Sequence, residues 1–292
     1  MINKKSTITF FVAIVIAILF TACEKGDKGK DKKMVSDLKE PLKIGVVGVH
    51  SGDLASYGIP TVKAAELVAK RYNAMGGIDG RQIELVIQDD ACKPEVSTNS
   101  ATKVVGEGVH VVLGHICSGA TKAAMGIYKD SKIIAMSPSA TNPALTQSGD
   151  YPNFYRTIAP DDAQAQLEVQ FAIEVLGLKK IAIIHDKGDY GKGLAEFVKQ
   201  FIEQDGRAEV VLYEGVTPGA VDYSAIVNKI ERSKGDAVIF GGYHPEASKI
   251  VTQMKKKKMK TIFISDDGVK DDTFIKVAKE YAEGVYATGP VE

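Results

Sequence analysis

Val109-His110-Val111-Val112-Leu113-Gly114-His115-Ile116-Cys117-Ser118-Gly119 is the stretch on which the fold turns. Residues 109–113 form an apolar run of the length of a buried parallel strand, and residues 120–128 carry a helical pattern. A strand, a short turn and a helix place residues 114–119 at the strand's C-terminal end. Open α/β sheets bind ligands there, because a helix N-terminus offers unpaired N–H groups and a positive dipole end. Ser118 is thereby positioned to hold an anion with its hydroxyl and backbone, and Cys117 can pin the turn to another part of the chain.

The same alternation extends outward. Upstream, residues 42–49 predict a strand and residues 61–75 a helix, with Val62, Ala65, Val68, Ala69 and Tyr72 at helical spacing and Gly76-Gly77 as its stop. A strand at 83–88 and a helix at 95–106 complete that side. Downstream, a strand is predicted at 133–136, after which a stretch containing Pro and Asn, 138–152, breaks the rhythm until a helix at 163–176. A crossing between two lobes is expected near 156–160. The second lobe then reads as strands at 180–185, 209–214, 237–240, 261–264 and 284–288, alternating with helices at 191–204, 223–233, 245–257 and 271–281. Alternating strands and helices mean parallel sheets covered on both faces. The lysine run 255–258 falls in a last helical turn, where cations complement the macrodipole.

The 292 residues, 45% hydrophobic and 25% charged, suffice for a sizeable core in about two domains. Basic and acidic residues number 37 each, so there is no basic stripe for a nucleic-acid partner. Lys4 and Lys5 precede an apolar run at 8–20, too short for a bilayer span of about 20 residues, and this predicts a signal peptide over residues 1–22. Phe20-Thr21-Ala22-Cys23 resembles a lipobox, with Phe20 standing where an aliphatic residue is usual. Lipidation of Cys23 is expected, and ordinary secretion after cleavage near Ala22 is the other reading. Both export the protein. Residues 24–33 are only charged residues and glycine, a solvated tether. Setting Cys23 aside leaves Cys92 and Cys117. In an oxidising compartment an even pair reads as one disulfide, with a metal site as the rival, disfavoured by the lack of a CxxC spacing.

Polar residues collect where the strands end. In the first lobe these are His50-Ser51-Gly52 with Tyr57 beyond, Asp89-Asp90, His115 to Ser118, and the segment 137–141. In the second they are His185-Asp186 with Tyr190, Gly241-Gly242-Tyr243-His244, and Asp266-Asp267. Each alone could be a helix cap, a turn or half-buried packing. Their recurrence in both lobes predicts a cleft lined from two sides. No GxxxxGK[ST], HExxH or GxSxG motif occurs, and the histidines are not spaced as metal pairs. A hydrolytic triad built on His185-Asp186 is the enzymatic alternative.

Residues 43–58, 72–80, 88–94, 104–120, 137–145, 181–195 and 241–246 together closely resemble the periplasmic branched-chain amino-acid binding proteins of ABC transporters. Asp89-Asp90-Ala91-Cys92 and Gly241-Gly242-Tyr243-His244-Pro245-Glu246 are the most specific motifs. The resemblance implies the type I periplasmic binding protein fold, in which two Rossmann-like lobes with parallel sheets close on a ligand. It implies a disulfide between Cys92 and Cys117, a carboxylate-binding serine at Ser118, an ammonium held by Ser139 and Thr141, and an aromatic wall of Tyr57, Tyr190 and Tyr243. The family's second-lobe glutamate falls on Asp267, one methylene shorter, so that contact would run through water or a tighter closure.

The implied function is capture of a free amino acid, most naturally a branched-chain one, for delivery to an ABC permease, with the membrane held through Cys23. No catalysis, cofactor, metal or nucleic acid is implied. A lipoprotein that senses a ligand for a signalling receptor is the alternative within the fold. The expected organisation is a leader at 1–22, lipobox cysteine and tether at 23–41, a first lobe at 42–158, a second at 159–288, and the start of a return to the first lobe at 289–292. The family continues for roughly a third of its length further to complete both lobes. A fragment or truncated product is therefore expected, with apolar surface exposed on the first lobe.

Overall fold

The computed structural model describes residues 39–290; the leader, lipobox and tether assigned above lie outside the described residues, except that Lys39 to Pro41 are included. Two parallel five-stranded sheets carry the fold. The first contains β1 (Leu42–Gly48), β2 (Ile83–Asp89), β3 (Val111–Gly114), β4 (Ile134–Ser137) and β5 (Phe154–Arg156) in the order β2-β1-β3-β4-β5. The second contains β6 (Lys180–His185), β7 (Glu209–Gly215), β8 (Ala237–Gly241), β9 (Ile262–Ser265) and β10 (Val285–Ala287) in the order β10-β9-β8-β6-β7. Reversed, the second order is the first one again. Each sheet therefore has one topological switch point, between β1 and β3 in one lobe and between β6 and β8 in the other.

The helices are α1 (Ala55–Ala74), α2 (Pro94–Gly106), α3 (Ser118–Asp130), α4 (Ala144–Gln147), α5 (Asp161–Gln170), α6 (Asp189–Asp205), α7 (Ser224–Ser233), α8 (His244–Lys256) and α9 (Asp272–Ala278). A π turn, Phe171–Val175, continues α5, and a 3₁₀ turn, Lys279–Ala282, follows α9. Strands β6 and β8 are buried on both faces through Ile181, Ile183, Ile184, Val238, Ile239 and Phe240. That is why they read as unbroken apolar runs rather than alternating ones.

Three local features depart from the expected elements. Helix α1 begins at Ala55, not at 61, and Pro60 lies inside it. Proline is commonest at a first helical position, so a periodicity count opens the helix after it. Strand β5 falls where an irregular segment and a crossing were expected, and at three residues it is too short to show a pattern; pairing with β4 in parallel register makes it a strand. The helix expected at 163–176 starts at Asp161 and changes to π geometry at Phe171.

The sheets are covered unequally. One side of the first is packed by α2 and α3 around Ala101, Val104, Met125 and Tyr128. On the opposite side α1 leaves an almost wholly apolar groove, lined by residues including Val68, Leu85, Leu113 and Met136. Ile134, Met136 and Tyr155 are exposed.

Two glycines are steric necessities near the strand ends. Gly114 closes β3 at φ +131°, and a Cβ there would lie 1.9 Å from the Val47 carbonyl oxygen. In α6, a Cβ on Gly191 would meet the Gly241 carbonyl oxygen at 2.3 Å and Asp186 Oδ1 at 2.6 Å. Backbone cannot yield as a side chain can, so Gly191→Ala is expected to destabilise by roughly 1–3 kcal/mol through overpacking. A urea denaturation midpoint equal to that of the parent chain would show that α6 can back away from β8.

Candidate functional site

The two switch points face each other, and the loops after their strands close on one another. Tyr57, after β1, reaches across with its hydroxyl to the Gly268 carbonyl of the second lobe and lies 2.7 Å from His244 Nδ1. Its ring sits 5.5 Å from that of Tyr243, which in turn sits 5.1 Å from Tyr190. Lys122 on α3 pairs with Asp189 at 3.0 Å, and Asn142 Nδ2 donates to the Asp189 carbonyl at 2.7 Å. Between these contacts lies a narrow cavity of about 20 Å³ lined by Tyr57, Ile116, Ser118, Ser139, Thr141, Tyr190, Tyr243, Asp267 and Gly268. A larger, solvent-open groove shares Tyr190 and Tyr243 with it, and the charged residues in its lining are Lys122, Asp186, Lys187, Asp189, Lys192 and Glu196. The convergent polar groups are in the smaller space.

Each of the seven side chains singled out in the sequence, Tyr57, Ser118, Ser139, Thr141, Tyr190, Tyr243 and Asp267, lines this cavity. Ser118 is the first residue of α3, whose first intrahelical bond runs from Thr121 N to the Cys117 carbonyl. The N–H groups before it therefore have no partner within the helix. Ser118 Oγ accepts from Asn142 N at 3.2 Å, which ties this helix end to the loop after β4. From that loop, Thr141 presents a buried Oγ1 that has no hydrogen-bond partner among the described residues. A buried hydroxyl without a partner is uncommon, and in a cavity wall it marks a place for a ligand group.

The second lobe supplies the opposite charge. Asp267, beyond β9, accepts from the Tyr190 hydroxyl at 2.6 Å, and with its amide turned to satisfy both neighbours Gln164 donates to the same oxygen at 3.0 Å. Burial raises the Asp267 carboxyl above its ordinary range. Burial also raises the phenols of Tyr57, Tyr190 and Tyr243 and lowers the His244 imidazole. The aromatic wall is thus made of neutral hydroxyl donors and acceptors.

Cys92 and Cys117 are joined by a disulfide, Cα to Cα 5.5 Å, with the Tyr243 hydroxyl 3.9 Å from Cys92 Sγ. The same two loops are tied a second time below it. Asp90 accepts from Cys92 N at 2.8 Å and meets His115 Nδ1 at 2.6 Å, while His115 Nε2 meets the Tyr128 hydroxyl at 2.8 Å. Asp89-Asp90 is therefore turn and support, not cavity wall.

His185 and Asp186 do not form a catalytic pair. His185 Nδ1 accepts from Lys187 N at 3.0 Å, and Asp186 Oδ1 accepts from Gly188 N at 2.8 Å. An aspartate that serves its own turn cannot orient the neighbouring imidazole. The hydrolytic reading loses its geometric basis here.

Sequence reasoning passed over two of the three acids that stand beside the cavity, Asp161 and Glu168. Asp161 and Glu168 on α5 and Asp266 beside β9 are all fully buried. A signal existed: Glu168 stands on the same helical stripe as Ala165 and Ala172, a charged residue on an apolar face.

A family profile described as periplasmic binding protein matches residues 41–292. The Leu/Ile/Val-binding protein of Escherichia coli K12 is 39% identical over 253 residues, which is 87% of this chain and 68% of that protein. An amino acid binding protein of Pseudomonas aeruginosa is 40% identical over 84% of this chain and 66% of its own length. Among solved structures, the branched-chain amino acid transporter substrate-binding protein LivJ of Streptococcus pneumoniae, in complex with isoleucine, superposes with a TM-score of 0.76 at 32% identity, covering 85% of this chain and 70% of that one.

Proposed function

We propose, because this chain belongs to the periplasmic binding protein family, that it captures a free amino acid in the cavity between its lobes and delivers it to an ABC permease. The observation that carries the reading is the pairing of opposite demands across one small space. Ser118 and the open N–H end of α3 suit a carboxylate, while Thr141 Oγ1 and Asp267 suit an ammonium. The names of the relatives, Leu/Ile/Val-binding protein and a LivJ protein holding isoleucine, favour a branched-chain side chain packed on Tyr57, Ile116, Tyr190 and Tyr243. Residues 42–158 and 159–288 act as the closing lobes. The leader pattern and Cys23 support export and a lipid anchor, and on this reading the protein works in the periplasm or at the cell surface.

Titration calorimetry with L-leucine, L-isoleucine and L-valine tests the ligand. Ser118→Ala and Thr141→Ala are each expected to weaken binding by about 1.5–3 kcal/mol, the range for hydrogen bonds to charged groups. Unchanged affinity in both variants would move the ligand out of this cavity.

A further inference from the structure

The cavity backs onto more carboxyl groups than one ligand ammonium could neutralise if all were ionised. Asp161, Glu168 and Asp266 are fully buried, and Asp267 stands at the cavity wall among them. Both carboxylate oxygens of Asp161 and Oε2 of Glu168 lack a well-aligned hydrogen bond among the described residues, although the Thr141 hydroxyl lies near enough to Asp161 to favour its ionised form. Glu168 Oε1 accepts from the Thr288 hydroxyl at 2.8 Å, and Asp266 Oδ2 from Gly242 N at 2.9 Å. The Asp161 backbone N–H donates to the Thr141 carbonyl at 3.0 Å, so this acid sits directly behind the hydroxyl left open for a ligand.

The neighbouring cation is committed elsewhere. Arg156 donates to the carbonyls of Thr141 and Asn142 at 2.8 Å each, and to the Thr146 hydroxyl. None of the four acids takes part in a salt bridge among the described residues, and they do not form a metal-holding group there. Buried carboxylates without a counter-ion are too costly to ionise together.

We propose, on the amino-acid reading above, that ligand capture is an exchange: the ligand's ammonium enters beside Thr141 and Asp267, and a proton leaves the carboxyl set of Asp161, Glu168, Asp266 and Asp267 for solvent. No bond other than O–H breaks, and the charge of the site is balanced before and after. The direction follows from the groups themselves. Burial, and then repulsion from Asp267, push Asp161 and Glu168 up to about 8 each, partly opposed for Asp161 by Thr141 and Arg156 and for Glu168 by Thr288. Asp162 adds to the repulsion at Asp161, and Asp161 to that at Glu168. Asp266 is raised well above its ordinary value by burial and by Asp267, Glu168 and Asp161. Strongly interacting acids titrate as a set. Below about pH 8 the empty set is substantially protonated, and an arriving cation favours the carboxylate form. Affinity must then rise with pH up to about 8 and level off above it.

The experiment is calorimetry of the full chain with L-leucine in phosphate and in Tris at pH 6, 7 and 8, since buffers of different ionisation enthalpy report protons released. Release of about half to one proton per leucine at pH 7 is expected, with affinity rising about three- to tenfold per pH unit between 6 and 8. Glu168→Gln, which alters no group lining the cavity, and Asp161→Asn should each lower the count. The analogue 4-methylpentanoate, lacking the ammonium, should release none. Binding heat that is the same in both buffers overturns the exchange while leaving the ligand reading intact, and absence of any binding heat overturns both. An undiminished count in both variants, or equal release with the analogue, also overturns it.

Discussion

Asp267→Asn is expected to weaken amino-acid binding by roughly 2–5 kcal/mol, the cost of removing one partner from a buried, hydrogen-bonded charge pair. The substitution keeps the shape of the side chain and an oxygen that can still accept from Tyr190, so the loss isolates the charge. Asp267 lines the cavity from the second lobe, whereas Ser118 and Thr141 line it from the first. Its attraction to an ammonium therefore belongs to the closed arrangement, and a ligand can shift a hinge only by its differential affinity for the two states. The variant should accordingly be less closed at saturating leucine. Asp266→Asn is the comparison for closure: Asp266 does not line the cavity and accepts from Gly242 N, where an asparagine oxygen can replace it, although as a member of the buried acid set it should change the protons released. Calorimetry and small-angle scattering of both variants decide the matter, and parent-like affinity and closure for Asp267→Asn would remove this residue from the site.

Replacing Cys92 and Cys117 together by alanine should lower stability by about 3–4 kcal/mol, the chain-entropy value for a loop of this size. The bond spans 25 residues of sequence and joins the turn after β2 to the residue that precedes Ser118. The Asp90–His115 contact beneath it is a separate tether, so the variant should still fold while presenting Ser118 less firmly. Denaturation with and without a reductant, set beside leucine affinity, reads both effects. Free thiols at both positions in exported protein, or a midpoint unmoved by the double substitution, would contradict the assignment.

The alternation of strands and helices, the buried strands of the second lobe and the gathering of polar residues at strand ends were legible because each is a local pattern. A parallel strand covered on both faces must be apolar throughout, and the turn after it must carry capping and ligand-binding types. Since Ser118, Tyr57, Tyr190, Tyr243 and Asp267 all stand just after strands, parallel topology alone sends them to one edge of each sheet. The segment of Pro138 to Arg156 was less legible: β5 is a strand only because β4 accepts it.

What the sequence by itself determined is therefore the class of fold, the loops that bear the site and the residue types offered there. The tertiary structure alone decided that His185 and Asp186 each serve a local turn, and that Asp161, Glu168 and Asp266 are buried outside any salt bridge among the described residues. The physical reason is distance along the chain. Periodicity reports a residue's own element, but the environment of a carboxyl is set by what packs against it, and Glu168 is met by Thr288, 120 residues away.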